Sequence, residues 1–333
     1  MRVMPKWLIN GLMLAAGASL LYWVFAVADI DAAIASATSI GIGGFGAVLG
    51  IFLLGFMLDV VVWMLVLGGR HVSPVWFWRL FKARMLGEAI NITTPVAGFG
   101  GEPAKAWLLN RRHGLSYVEV ISSMITATTV TVVGLVAFLG IGLTLMAQSD
   151  AFDPEAKIAG AAGFGLLATG ILGFFLVQRF QLTTSIARWA HGRTGLAWLE
   201  TAAEKITLVD RRLAGFYAAR PWRLFGVVAI AGLAYAVSIG EVYVAMHAME
   251  VPVTLAEAWI IEAAAQLVRA AAFMIPGALG AQDGAFVFAT LAITGQPHAG
   301  VAVALVRRAR EIFWVVVGAV IGLREWLLVR TGH

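Results

Sequence analysis

The sequence predicts an all-α polytopic membrane protein with about six spanning helices and two oppositely oriented re-entrant helical hairpins. Three observations predict it. The 333-residue chain is 60% hydrophobic and 13% charged, with a mean hydropathy of +0.87, whereas a soluble domain carries roughly 25% charged residues. Its basic residues sort to one side of the apolar segments. Two Pro- and Gly-rich breaks, at Pro95, Gly98, Gly100, Gly101 and at Pro276, Gly277, Gly280, interrupt helices too short to span. Broken backbone at membrane depth is tolerated only where protein or a watery cavity satisfies its N–H and C=O groups, so each break points to a site.

Taken in order, residues 7–28 form a first apolar span after Arg2 and Lys6. Ala26, Val27 and Ala28 before Asp29 resemble a signal-peptidase site, but the apolar run exceeds the ~7–15 residues of a signal core, so an uncleaved helix is expected. Asp29 and Asp31 then lie outside. Residues 43–68 return inward and contain Asp59, with Gly46 and Gly50 spaced for close helix packing. A hairpin over about 78–112 enters and leaves on the basic, cytoplasmic side, because neither of its arms reaches the ~20 residues needed to span. Residues 117–147 cross outward and 158–178 return. Residues 179–221 are basic and Trp-containing, an amphipathic segment on the inner leaflet. Residues 222–247 cross outward, a second hairpin over about 254–295 enters from outside, and 299–329 is the last span.

The positive-inside rule supports this path. The outer segments hold only Lys157; Arg269, Arg307, Arg308 and Arg310 fall in membrane segments, and the rest of the 24 Lys and Arg lie on inner ones. Both termini are therefore expected in the cytoplasm, and residues 1–333 form a single membrane domain. The net charge of +5 reflects this sorting and gives no reason to expect nucleic acid. With no cysteine, disulfides, Cys-ligated zinc and thiol catalysis are excluded. The six histidines show no metal-ligand spacing and there is no nucleotide-binding Gly-rich loop, so no metal or other cofactor is expected.

The two breaks align with each other. Each reads proline, a small-residue turn, then a carboxylate seven positions on: Pro95 to Glu102, and Pro276 to Asp283. Seven positions before each proline stands a charge, Glu88 and Arg269. Entering from opposite sides, the hairpins have the signature of an inverted repeat around a midplane site. Glu102 and Asp283 admit two readings, as helix caps at dipole-positive N-termini or as site residues.

A charge at a helix centre costs at least ~2.5–3.5 kcal/mol, so membrane-depth charges need partners. Asn91, Glu102, Lys105, Arg269, Asp283, Arg307, Arg308 and Arg310 are the candidate lipid-binding residues. Asp59, Glu88, Glu241, Glu262 and Glu311 are the candidate ion-pair partners. Arg307 and Glu311, at i,i+4, can pair along their own helix. Arg308 and Arg310 then need Glu262, Asp283 or a lipid phosphate, which a guanidinium grips bidentately. The other reading of the cluster is an ion-pair lattice joining the repeats.

The run Asn91, Pro95, Gly100, Gly101, Glu102, Lys105, with Pro276, Gly277, Gly280, Asp283 and then Arg307, resembles the signatures of the lysylphosphatidylglycerol synthase/flippase transmembrane-domain family over nearly the whole chain. The small single-domain form resembles the branch associated with hopanoid biosynthesis. In the family's second turn a glycine and a glutamate stand where this chain has Ala278 and Asp283. The resemblance implies a flippase-like domain moving lipids with charged or sugar-bearing head groups in a bacterial inner membrane, with partner enzymes from a lipid-biosynthesis pathway. The family's synthases add a soluble aminoacyl-transferase domain, for which the residues after the last span leave no room, so no enzyme activity is expected. The alternatives are a polyprenyl-phosphate phosphatase or transferase, for which Thr93 and Thr94 are the nearest nucleophiles, and a non-catalytic scaffold of a lipid pathway.

Overall fold

The computed structural model describes residues 29–93, 100–179, 221–272, 275 and 278–331. The predicted first span at 7–28, the break residues Pro95, Gly98, Pro276 and Gly277, and residues 180–220 of the predicted amphipathic segment lie outside them. Among the described residues the protein is all helical: α1 (Ile30–Ser39), α2 (Gly41–Leu67), α3 (Pro74–Thr93), α4 (Gly101–His113), α5 (Tyr117–Gln148), α6 (Pro154–Arg179), α7 (Pro221–Ala248), α8 (Leu255–Ala271), α9 (Ala281–Thr294) and α10 (Pro297–Thr331). Five of them, α2, α5, α6, α7 and α10, are long and apolar enough to cross a membrane. They match the five predicted spans that fall in the described region.

Local chemistry explains the boundaries. The Asp29 carboxylate accepts from the Ala32 N–H at 3.0 Å and starts α1. Ser116 accepts from Glu119 N at 3.2 Å to start α5, and Thr254 and Glu257 close a capping box on α8. Gly114, at φ +70°, ends α4 in the left-handed region that favours glycine. Helix α1 departs from the expected outer loop. Its Ala33 is buried against Val287 and Val301, so a short apolar face, not the two aspartates, decides the segment.

Helices α3 and α4 pair as one hairpin and α8 and α9 as the other. Helix α10 joins them, packing on α3 along its C-terminal half and on α9 along its N-terminal half. Helix α5 packs on α8, and α7 on α2 and α5. Small residues set these contacts, as expected where lipid removes the hydrophobic drive between helices. A Cβ on Gly300 would come within 2.7 Å of Val287 Cα, and one on Gly318 within 2.6 Å of the Met85 carbonyl oxygen. A Cβ on Gly101 would overlap the Gly87 carbonyl, so the two hairpin arms touch backbone to backbone. At Gly46 and Gly50 no described atom lies within 4 Å of an added Cβ, and the predicted first span at 7–28 is outside the described residues. Helix α2 approaches α7 through Gly55.

At the basic end of the bundle, Glu325 of α10 accepts from Lys82 Nζ at 2.6 Å and pairs with Arg112 Nε at 2.9 Å, tying α10 to both arms of the first hairpin. Beside this junction the half-buried His113 stacks edge-on to Trp76. Burial, then the charges of Arg79, Lys82 and Arg112, push its imidazole down to about 4.

Two outcomes follow for stability. Gly101→Ala and Gly300→Ala are expected to cost about 1–3 kcal/mol each through overpacking, read as lowered Tm. His113 binds a proton in the unfolded chain near its ordinary value of 6.5 and in the folded chain only near 4. Its contribution is therefore complete above pH 6.5 and lost as pH falls towards 4. A His113→Asn variant should show a flatter fall in Tm across that window.

Candidate functional site

A polar cavity of about 290 Å³ lies inside the bundle, walled by both hairpins. Helix α2 contributes Asp59, α3 Arg84 and Glu88, and α5 Thr131. Helix α7 contributes Tyr235, Ser238 and Glu241, α8 Gln266 and Arg269, and α10 Arg307 and Arg310. Ile51, Phe52 and Phe56 of α2 and Ala234 of α7 form the apolar part of the wall. A smaller space of about 30 Å³ adjoins it and shares Glu88, Arg269 and Arg310.

The helical periods aim these groups. On α7, Tyr235, Ser238 and Glu241 recur every three residues, so they share one face. On α8, Glu262, Gln266 and Arg269 do the same at spacings of four and three. On α3, Arg84 and Glu88 are one turn apart.

Most of the charges are satisfied in pairs. Arg307 grips Glu262 with two nitrogens, at 3.2 and 2.7 Å, and lies 3.6 Å from Glu241. Arg310 pairs with Glu241, and its guanidinium sits 4.4 Å from the Phe52 ring centre. Arg308 reaches both oxygens of Asp283, at 2.9 and 3.0 Å, and Glu311 at 2.8 Å. Arg84 donates to Asp59 at 2.8 Å. The fully buried Glu262 also accepts at Oε1 from Ser238 at 3.0 Å and Gln266 at 2.7 Å.

Capacity remains at Arg269, which keeps 38% of its side chain exposed and, among the described residues, pairs only with Glu311 at the long distance of 3.9 Å. The Nε groups of Arg84 and Arg310, buried away from the cavity space, have no acceptor among the described residues. Glu88 has no ion-pair partner among them either.

Of the residues singled out from sequence, Asp59, Glu88, Glu241, Arg269, Arg307 and Arg310 meet at the cavity. Asp283, Arg308, Glu262 and Glu311 form the lattice behind it. Asn91, Glu102 and Lys105 do not line it. Asn91 Oδ1 accepts from Gly101 N at 2.7 Å and closes the first hairpin. Lys105 donates to Glu102 at 2.6 Å, with its stem against Gly87.

Two expectations are corrected. Arg307 does not pair with Glu311 along α10. It crosses to Glu262, because its guanidinium faces the bundle while Glu311 is taken by Arg308. Glu102 makes no capping hydrogen bond to the described residues, where Lys105 holds its carboxylate. Asp283 does cap, accepting from Gly280 N at 2.9 Å where Gly280 turns at φ +76°, and it binds Arg308 as well. Sequence reasoning misses Arg84, Thr131, Tyr235, Ser238 and Gln266. Arg84 reads there as an inner-loop charge, and the polar stripe on α7 is the signal for Tyr235 and Ser238.

The sequence model described as lysylphosphatidylglycerol synthase TM region matches residues 9–319. The chain belongs to that family. No curated protein and no solved structure matches it. Family membership suggests a membrane lipid-related, flippase-like domain, and five of the described helices are long and apolar enough to cross a membrane.

Breaking one member of the buried Arg307–Glu262 pair strands the other. Arg307→Ala is expected to cost about 3–5 kcal/mol. The double replacement Arg307→Met with Glu262→Leu should recover much of that loss, measured by thermal unfolding in nanodiscs.

Proposed function

We propose that the protein binds the head group of a lipid in the polar cavity and moves it across the membrane, with anionic or sugar-bearing head groups as cargo. The observation that carries this reading is the Arg269 guanidinium on the cavity wall, 38% exposed and, among the described residues, within reach of Glu311 alone at 3.9 Å. A guanidinium of this kind suits a phosphate or another oxyanion. Sugar hydroxyls would find acceptors in Glu88 and partners in Gln266 and Ser238.

The packing supports an inverted repeat. Helix α10 of the second half lies on α3 of the first hairpin, and α5 of the first half lies on α8 of the second. Glu88 and Arg269, equivalent by their distance from Pro95 and Pro276, face the same cavity. Opposed hairpins around one polar space are what alternating exposure of a head group requires, while the tails stay in the bilayer. The reading places the protein in a bacterial inner membrane with both termini in the cytoplasm and without catalysis of its own. Its link to hopanoid pathways rests on the motif resemblance alone.

Lipids retained on purification, identified by native mass spectrometry, are expected to be enriched in acidic or glycosylated species. In nanodiscs, Arg269→Ala should weaken binding of phosphatidic acid about tenfold, equivalent to about 1.4 kcal/mol, with Tm unchanged. Equal affinity in variant and wild type would place the head group elsewhere. The chain has no native cysteine, so Ser149→Cys and Gly114→Cys report orientation. An impermeant thiol reagent added outside should label the first and miss the second.

A further inference from the structure

Charges at membrane depth pair one to one until they reach Arg269. Asp59 takes Arg84, Glu102 takes Lys105, Glu241 takes Arg310, Glu262 takes Arg307 and Asp283 takes Arg308. Of that set one cation and two carboxylates remain, namely Arg269, Glu311 and Glu88. Glu311 holds Arg308 at 2.8 Å and reaches Arg269 only at 3.9 Å. Glu88 forms no ion pair among the described residues. The described network therefore holds one carboxylate more than it holds cations, and Glu88 is the group in excess.

Glu88 and Arg269 share two walls. Both line the polar cavity, and both line the adjoining space of about 30 Å³, which has room for about two waters. A head group gripping Arg269 from the cavity thus comes up beside Glu88. The other charges around Glu88 are committed. On its own helix, Arg84 is held by Asp59 of α2. Helix α4, which packs on α3, brings Lys105, held by Glu102 at 2.6 Å. Helix α10, which packs on α3 as well, brings Arg307 and Arg310, held by Glu262 and Glu241, and Glu311, held by Arg308. Across the cavity α7 adds Glu241 and the phenol of Tyr235, and α5 adds only the uncharged Thr131. Apart from Arg269, each described cation there already holds a carboxylate at hydrogen-bond distance.

We propose that Glu88 takes up one proton from water each time an anionic head group binds at Arg269, so that lipid and proton move together. The inference rests on the head-group reading above. Without the proton, the head-group anion and the Glu88 carboxylate would stand side by side with a single cation between them, one already shared with Glu311. Like charges in one enclosed site do not both stay ionised. A phosphate diester is a much stronger acid than a carboxylic acid, so the proton settles on Glu88. The protonated carboxyl then has an O–H to donate to a head-group oxygen. The charge balance closes as well. The lipid brings one negative charge and the proton one positive charge, so the loaded and the empty cavity carry the same net charge. The membrane potential acts on net charge moved and leaves this exchange untouched, whereas a difference in pH across the membrane gives it a direction.

The probe is dihexanoyl phosphatidylglycerol, whose phosphate diester keeps its single negative charge around neutral pH, binding to the full-length protein in detergent. A proton bound only in the complex makes affinity fall as pH rises, by about tenfold per unit wherever Glu88 is ionised in the empty protein. Between about pH 6 and 8 the wild type is therefore expected to lose at least about tenfold in affinity. Glu88→Gln, which cannot ionise, is expected to show a level affinity over the same range with Tm retained. Where Gln lowers Tm, Glu88→Met, of similar length and uncharged, is read in its place. In weakly buffered solution a pH indicator should register uptake of about one proton per lipid bound by the wild type, and none by the variant.

Level affinity with no proton uptake in the wild type overturns the proton site and leaves the head-group reading standing. The same pH slope in the Glu88 variant as in the wild type does so too. Arg269→Ala separates the two readings, and it is expected to weaken binding at every pH. Binding to Arg269→Ala as tight as to the wild type throughout, or no binding to the wild type at any pH, overturns the head-group reading and this proposal with it.

Discussion

The structure depends on pairing every arginine that α10 carries into the membrane. Arg307, Arg308 and Arg310 sit within four residues, and their partners come from three other helices: Glu241 on α7, Glu262 on α8 and Asp283 on α9, with Glu311 on α10 itself. Burying one such ion without a counter-ion costs several kcal/mol. The arginines therefore dictate where α7, α8 and α9 stand. The second hairpin lies against α10 because Asp283 both starts α9 and receives Arg308. An apolar lattice of the same volume would hold helices together equally well. What the charged one adds is a fixed register and a set of donors beside a cavity.

The lattice is looser at one place. Arg269, 38% exposed on the cavity wall, is held at arm's length by a glutamate already committed to Arg308. Among the described residues pairing thus stops short of completion at Arg269. The phenylalanines at 52 and 56 exclude water from one side of the Arg310 and Arg84 guanidiniums, and their ring faces attract the cations they cover.

Much of the fold is legible in the sequence because the bilayer imposes simple rules on length and charge. The ends of α2, α5, α7, α8, α9 and α10 fall within a few residues of the predicted ones. The hairpins are visible through arms too short to span, and through proline and glycine where neither belongs in a membrane helix. Helix α1 is not visible, because ten residues containing an aspartate carry no length signal; its Asp29 cap and its packing on α9 and α10 support it. The site is half legible. A charge in an apolar segment announces itself, so Asp59, Glu88, Arg269 and the α10 arginines stand out. Partner choice does not, since spacing suggests Arg307 to Glu311 whereas the side chain's direction leads to Glu262. Uncharged members such as Ser238 and Gln266 carry little hydropathy signal, and only their periodic spacing with Glu241 and Glu262 would find them.

Helix α10 is a single rod of 35 residues, about 52 Å long. It is seated against α9 near one end and against α3 near the other, with Glu325 fastening it to both arms of the first hairpin. A rod pinned at two opposite places behaves as a lever. Tilting it to draw either hairpin away from the bundle presses the other hairpin in. Moving either hairpin away from the rod alone would break either the Glu325 junction or the arginine pairs, so the positions of the two hairpins are coupled through one helix.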